Sequence, residues 1–151
     1  MSKTLEKIKA DLTGVLKAGD AVSALTLRYL LAEVHNAEIA KGKDAVLTEE
    51  ELVQVLQKQA KQRRESIEAY QKGDREDLVV KEQRELKVIQ SYLPEQMGEE
   101  EIQKIVEEAV SAIGASGIQD MGKVMSEVMA KVKGKADGSV VSRLVKEKLS
   151  S

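Results

Sequence analysis

Apolar residues recur at three- and four-residue steps along almost the whole chain, and a single proline, Pro94, interrupts the pattern. That spacing collects them on one face of successive helices, whereas a strand requires alternation at every second residue. Leu5, Ile8, Leu12, Val15 and Leu16 form the first stripe, ended by Gly19, which can take the left-handed stop of a helix C-terminus. Asp20 is placed to cap a second helix carrying Leu27, Leu30, Leu31 and Val34 and ending near Gly42. Thr48 and Glu51 have capping-box spacing, in which hydroxyl and carboxylate each satisfy an orphan N–H. The third helix follows with Leu52, Val55, Leu56, Ala60, Ile67 and Tyr70 and stops at Gly73. Asp74 is expected to open the fourth, with Leu78, Val79, Leu86, Ile89 and Leu93 inward. Pro94 closes it, because the residue before a proline is pushed out of the helical region.

Beyond Pro94 the helices shorten. Glu99, Glu100 and Glu101 load the first turn of a fifth helix, where acidic side chains complement the helix dipole. Its apolar face is Ile102, Ile105, Val106, Ala109, Val110 and Ile113. Ser116 and Gln119 have the spacing of a second capping box before a sixth helix that carries Met121, Val124, Met125, Val128 and Met129 and stops near Gly134. A turn through Asp137 and Gly138 starts the seventh, with Val140, Val141, Leu144, Val145 and Leu149. The expected fold is all-α: an N-terminal four-helix bundle over residues 1–93, then a smaller three-helix domain over residues 94–151.

Composition removes several function classes. Without cysteine there are no disulfides, thiolate zinc sites or cysteine nucleophiles, which fits a reducing compartment. His35 is the single histidine, so neither a histidine metal cluster nor a histidine-based triad can be assembled. It reads as an edge position on the second helix. No apolar run approaches the ~20 residues of a membrane span, and the first residues lack an apolar signal core, so the expectation is a cytoplasmic chain. Three tyrosines and no Phe or Trp argue against modules that stack bases on aromatic rings. Nothing resembles a phosphate-binding Walker loop, a dinucleotide fingerprint or a nucleophile elbow, and no catalytic residue, cofactor or metal is expected. Met121, Met125 and Met129 read as core filler. Gly122, unusual inside a helix, would permit a close helix approach or let a partner near the backbone.

The formal charge of −2 conceals a segregation. Residues 1–93 are balanced, residues 94–120 net −6, and residues 121–151 net +4. Lys131, Lys133 and Lys135 cluster around Gly134, ahead of the seventh helix, with Lys123 upstream. A glycine turn flanked by lysines before a helix N-terminus can present ammonium groups and N–H donors to one phosphate path. The sequence alone favours a solvated loop whose lysines answer the helix dipole, because clusters of this size are common. On the third helix, adjacent Arg63 and Arg64 beside Glu65 and Glu68 are either solvated helical pairs or a second phosphate clamp.

Two long stretches carry a resemblance. Ala60 to Gln96 (AKQRRESIEAYQKGDREDLVVKEQRELKVIQSYLPEQ) closely resembles the GatB/YqeY family of small helical proteins. Asp120 to Gly138 (DMGKVMSEVMAKVKGKADG) is similar to that family's C-terminal segment, and Asn36 to Ile39 also fits. The resemblance implies a helical N-terminal bundle followed by a three-helix one. It also implies a likeness to the C-terminal tail of the GatB component of glutamine-dependent aspartyl/glutamyl-tRNA amidotransferase. That tail is associated with tRNA, while the carbon–nitrogen ligase chemistry, with glutamine as amido donor, belongs to other domains. The implied role is a non-catalytic accessory with tRNA or another structured RNA as partner, and the amidotransferase or other proteins as further partners. The alternative is a protein-interaction module without RNA that docks through the charged third helix or the acidic fifth. Carried over by residue, the tail's role falls on Lys133, Gly134, Lys135, Asp137 and Gly138, with Lys123 and Gly122 nearby. Where relatives often have another basic residue after the Asp-Gly turn, this chain has Ser139, which removes one phosphate contact.

Overall fold

Helix-forming stretches separated by short capped turns leave the chain no choice but to bury each apolar stripe against a neighbouring helix. The computed structural model describes residues 2–150 as seven α-helices and one 3-10 turn, with no strand among the described residues. The chain divides into two compact units, Met1–Leu93 and Pro94–Ser151.

The first unit holds α1 (Lys3–Lys17), α2 (Ala21–Lys41), α3 (Glu49–Lys72) and α4 (Glu76–Gln90). Ser2 caps α1 by accepting from the Leu5 N–H at 3.1 Å. Gly19, at φ +74°, closes it, with the Asp20 N–H on the Val15 carbonyl at 2.9 Å. Asp20 then caps α2 through the Ser23 N–H, and the Ser23 side chain first and this N–H second hold its carboxyl below the usual carboxylate range. The Thr48–Glu51 box is present in both directions, at 2.8 and 3.2 Å. Asp74 departs from expectation. At φ +54° it closes α3 rather than opening α4, with its N–H on Gln71 and the Arg75 N–H on Tyr70. A short aspartate tolerates that left-handed backbone, so α4 begins at Glu76 with no side-chain cap.

Leu5, Ile8, Leu27, Leu30, Val34, Leu52, Leu56 and Ile89 fill the core of this unit. Each such side chain contributes about 1.5–3 kcal/mol by leaving water. Helix α2 is apolar on two sides. Leu27, Leu30 and Val34 are buried, while Val22, Leu25, Tyr29 and Ile39 face outward.

The second unit holds α5 (Glu99–Ile113), a 3-10 turn at Ile118–Asp120, α6 (Met121–Val132) and α7 (Gly138–Ser150). Its core is rich in valine, among them Val106, Val124, Val128, Val141 and Val145, joined by Ile102, Leu144 and Leu149, with Met121, Met125 and Met129 partly buried around them. The expected Ser116–Gln119 box is not formed. The Ser116 N–H donates instead to Asp120 Oδ2 at 3.0 Å, a charged acceptor that closes the turn ahead of α6. Gly122 is exposed and a Cβ there would meet nothing within 4 Å, so it permits no close helix approach.

Candidate nucleic-acid interface

The lysine turn begins where α6 can no longer continue. Val132 is fully buried, and the chain leaves the helix through Lys133 and then Gly134 at φ +75°. A left-handed residue costs a side chain about 1–2 kcal/mol, which glycine avoids. The Lys135 N–H returns to the Val132 carbonyl at 2.7 Å, and Ala136 is buried behind the turn. A segment 38 residues earlier straps it from the side. Gln96 Nε2 donates to the Gly134 carbonyl at 3.0 Å and to the Pro94 carbonyl at 2.8 Å. The Met97 N–H donates to the Lys135 carbonyl at 2.8 Å. The turn backbone is therefore held on both flanks, while Lys133 and Lys135 stand exposed with no ion pair to a described residue.

The remaining candidates divide. Lys131 is exposed but 3.6 Å from Glu127. Lys123 is exposed in the first turn of α6, about 12 Å along the axis from Lys131 at ~1.5 Å per residue, so the fold does not gather it into the cluster. Asp137 Oδ1 accepts from the Ser139 N–H and hydroxyl, both at 2.9 Å. Its carbonyl accepts from the N–H groups of Val140 and Val141 at 3.1 Å. The expectation that α7 offers these donors to phosphate is thus corrected, because Asp137 already satisfies them as the helix cap. Gly138 is the first residue of α7. Arg143, further along α7, is paired with Glu99 and with Glu147.

Arg63 is not a phosphate clamp. Its Nε lies 3.0 Å from Glu85 and 3.6 Å from Glu82, its guanidinium sits 4.9 Å over the Tyr29 ring, and its side chain is only 13% exposed. Arg64 is exposed on a different side of α3, since successive helical residues diverge by about 100°. Adjacency in sequence does not make these two a pair. The Gln96 and Met97 strap and the Glu82–Glu85 partners of Arg63 escape sequence reasoning, because no local signal announces a contact across such separations. Of possible cues, only the position of Gln96 just past Pro94, at the end of the Ala60–Gln96 stretch, marked that strap at all.

Other chemistry is sparse. An open groove of about 790 Å³ in the first unit is walled by Asp11, Val15, Val22, Arg84, Lys87 and Tyr92. Among the described residues no group of three acidic or histidine side chains is arranged to hold a metal ion. No helix among the described residues is long and apolar enough to cross a membrane.

The profile of the YqeY-like protein family matches residues 5–149. The chain belongs to the YqeY-like family. Among curated proteins it is similar to the mitochondrial altered inheritance of mitochondria protein 41 of Pyrenophora tritici-repentis, 36% identical over 146 residues. That match covers 95% of this chain and 79% of the relative. The protein of the same name from Vanderwaltozyma polyspora is 40% identical over 92 residues, covering 61% of this chain and 49% of the relative. The one from Saccharomyces cerevisiae strain YJM789 is 37% identical over 87 residues, covering 57% and 46%. The chain thus spans about half the length of the two yeast relatives. The expectation of a cytoplasmic chain is overturned by these relatives, which are named as mitochondrial proteins. Charge balance and absent cysteine report redox environment and solubility. A compartment address is a separate signal read by receptors.

Proposed function

We propose that this YqeY-like chain is a non-catalytic accessory that binds the phosphate backbone of structured RNA, tRNA first among them, through the Lys133–Lys135 turn. One observation carries the reading: two exposed lysines with no ion pair to a described residue stand on a turn whose backbone is fixed on both flanks by Val132, Gln96 and Met97. Charges on an immobilised turn lose little freedom on meeting a phosphate path, and neutralising phosphates releases counterions. Recognition is by shape and backbone, since three tyrosines offer little for base stacking. The likeness to the amidotransferase tail supports tRNA as the substrate class, with the ligase chemistry supplied by another chain.

The test is retardation of tRNA by the purified protein across a salt series. Binding at low salt that weakens as salt rises is expected, as is its loss in a Lys133→Glu/Lys135→Glu variant. Wild-type protein that fails to bind at low salt overturns the reading. Unchanged binding by the double variant overturns the site. A protein-docking role has its own support in the exposed acidic first turn of α5, where Glu100 and Glu101 stand. Partners recovered from lysate that survive RNase treatment favour it.

A further inference from the structure

Helix α2 carries two apolar faces, and the core uses only one of them. On the outer face Val22, Leu25, Tyr29, Ala32, Asn36 and Ile39 follow one another at steps of three, four, three, four and three residues. All six are exposed, Leu25 and Ile39 at 63%. This is the a/d stripe of a coiled coil, two and a half heptads long, about 25 Å at ~1.5 Å per residue. The buried Leu27, Leu30 and Val34 lie on the opposite side, so the core leaves the stripe exposed, with Tyr29 in contact with Arg63.

We propose that a second copy of this chain covers this face, through a parallel, in-register pairing of α2 with α2. The flanking charges choose this occupant. With Val22, Tyr29 and Asn36 at the a positions, Arg28 falls at g and Glu33 at the following e. In a parallel pair each g residue faces the partner's next e residue, which sets Arg28 against Glu33 of the partner subunit twice over. Neither side chain makes an ion pair with a described residue of its own chain. An antiparallel pair would match g with g and e with e, bringing Arg28 toward positive or imidazole groups and Glu33 toward carboxylate or uncharged ones.

Asn36 points the same way. At an a position in a parallel pair it meets its own counterpart, amide to amide, which specifies register and two strands. Antiparallel pairing places it against Leu25, where its amide has no hydrogen-bonding partner. The helix is therefore complementary to itself, as a two-fold interface requires. The stripe is short and carries a polar layer, so the association is weak and concentration-dependent.

Sedimentation of the full chain over micromolar to millimolar concentration tests this. The mean mass should rise from the 16.6 kDa of one chain toward twice that value. A Leu25→Glu/Ile39→Glu variant should remain a monomer throughout while keeping its helical circular dichroism, since neither residue belongs to the core. Arg28→Glu alone should weaken association about tenfold, because each charge occurs twice in a symmetric pair. Adding Glu33→Arg should restore it. The chain lacks cysteine, so Asn36→Cys reports register directly: mild oxidation should link two copies in the parallel arrangement. A wild-type chain that stays monomeric overturns the proposal, as does a dimer indifferent to the Leu25/Ile39 variant. A dimer that Asn36→Cys cannot crosslink, or that the charge exchange does not restore, overturns the parallel register.

Discussion

Tyr92 donates its hydroxyl to Asp11 Oδ2 at 2.6 Å, joining α1 to the residue two places beyond the end of α4 across 81 positions of sequence. Burial first, and then the bonded Asp11 carboxylate, push the phenol well above its ordinary value. An unfolded tyrosine ionises near pH 10, while this one stays protonated in the folded chain. Above about pH 10 the unfolded state therefore holds fewer protons, and stability falls as pH rises. Tyr92→Phe should cost about 1.5 kcal/mol at neutral pH, the worth of a hydrogen bond to a charged group. It should also remove that alkaline loss, which urea titrations at neutral and alkaline pH would show.

Arg63 should behave as a structural cation. Arg63→Ala leaves the largely buried Glu82 without its counter-charge and Glu85 with only the Lys81 ammonium at 3.9 Å, and should destabilise the chain by about 3 kcal/mol. Thermal unfolding reads that loss. Affinity for tRNA, measured below the variant's melting range, should not change.

Acid stability should hinge partly on Glu49. The hydroxyls of Ser2 and then Thr4 donate to its carboxylate and hold the carboxyl below its ordinary value. The stabilisation is complete above the unfolded value and lost as pH falls through the lower folded one. Glu49→Gln should flatten this acid limb, and denaturant midpoints collected from neutral pH down to about pH 3 would show it.

Two changes probe the lysine turn separately. Gly134→Ala places a side chain at φ +75° and should destabilise by about 1 kcal/mol, since only glycine occupies that backbone without strain. Lys133→Ala and Lys135→Ala leave the backbone alone. Each should lower the log–log salt slope of tRNA binding by about one. A slope that stays constant in both would move the phosphate contact elsewhere.

The helices were readable because their causes are local. Gly19, the Thr48–Glu51 box and Pro94 act on neighbours within about one turn, so residue identity settles them. Asp74 shows where that fails. Aspartate suits both an N-cap and a left-handed stop, and only the Arg75 N–H closing on the Tyr70 carbonyl chose between them. Ser116 met the same fate, when Asp120 outcompeted Gln119 for its turn.

Periodicity, caps and charge determined that the described residues fold as seven α-helices, which stripes are apolar, and where the lysines concentrate. Those are properties of residues within a few positions of one another. Tertiary structure alone decided that Arg63 is consumed by Glu82 and Glu85 and that Gln96 holds the turn at Gly134. Leu27, Leu30 and Val34 of α2 enter the core as their spacing predicts, and what the folded chain adds is that Val22, Leu25, Tyr29 and Ile39 stay outside it. A hydrogen bond or ion pair acts over a few ångströms, and folding, not sequence proximity, brings residues 19, 22 or 38 positions apart within that range.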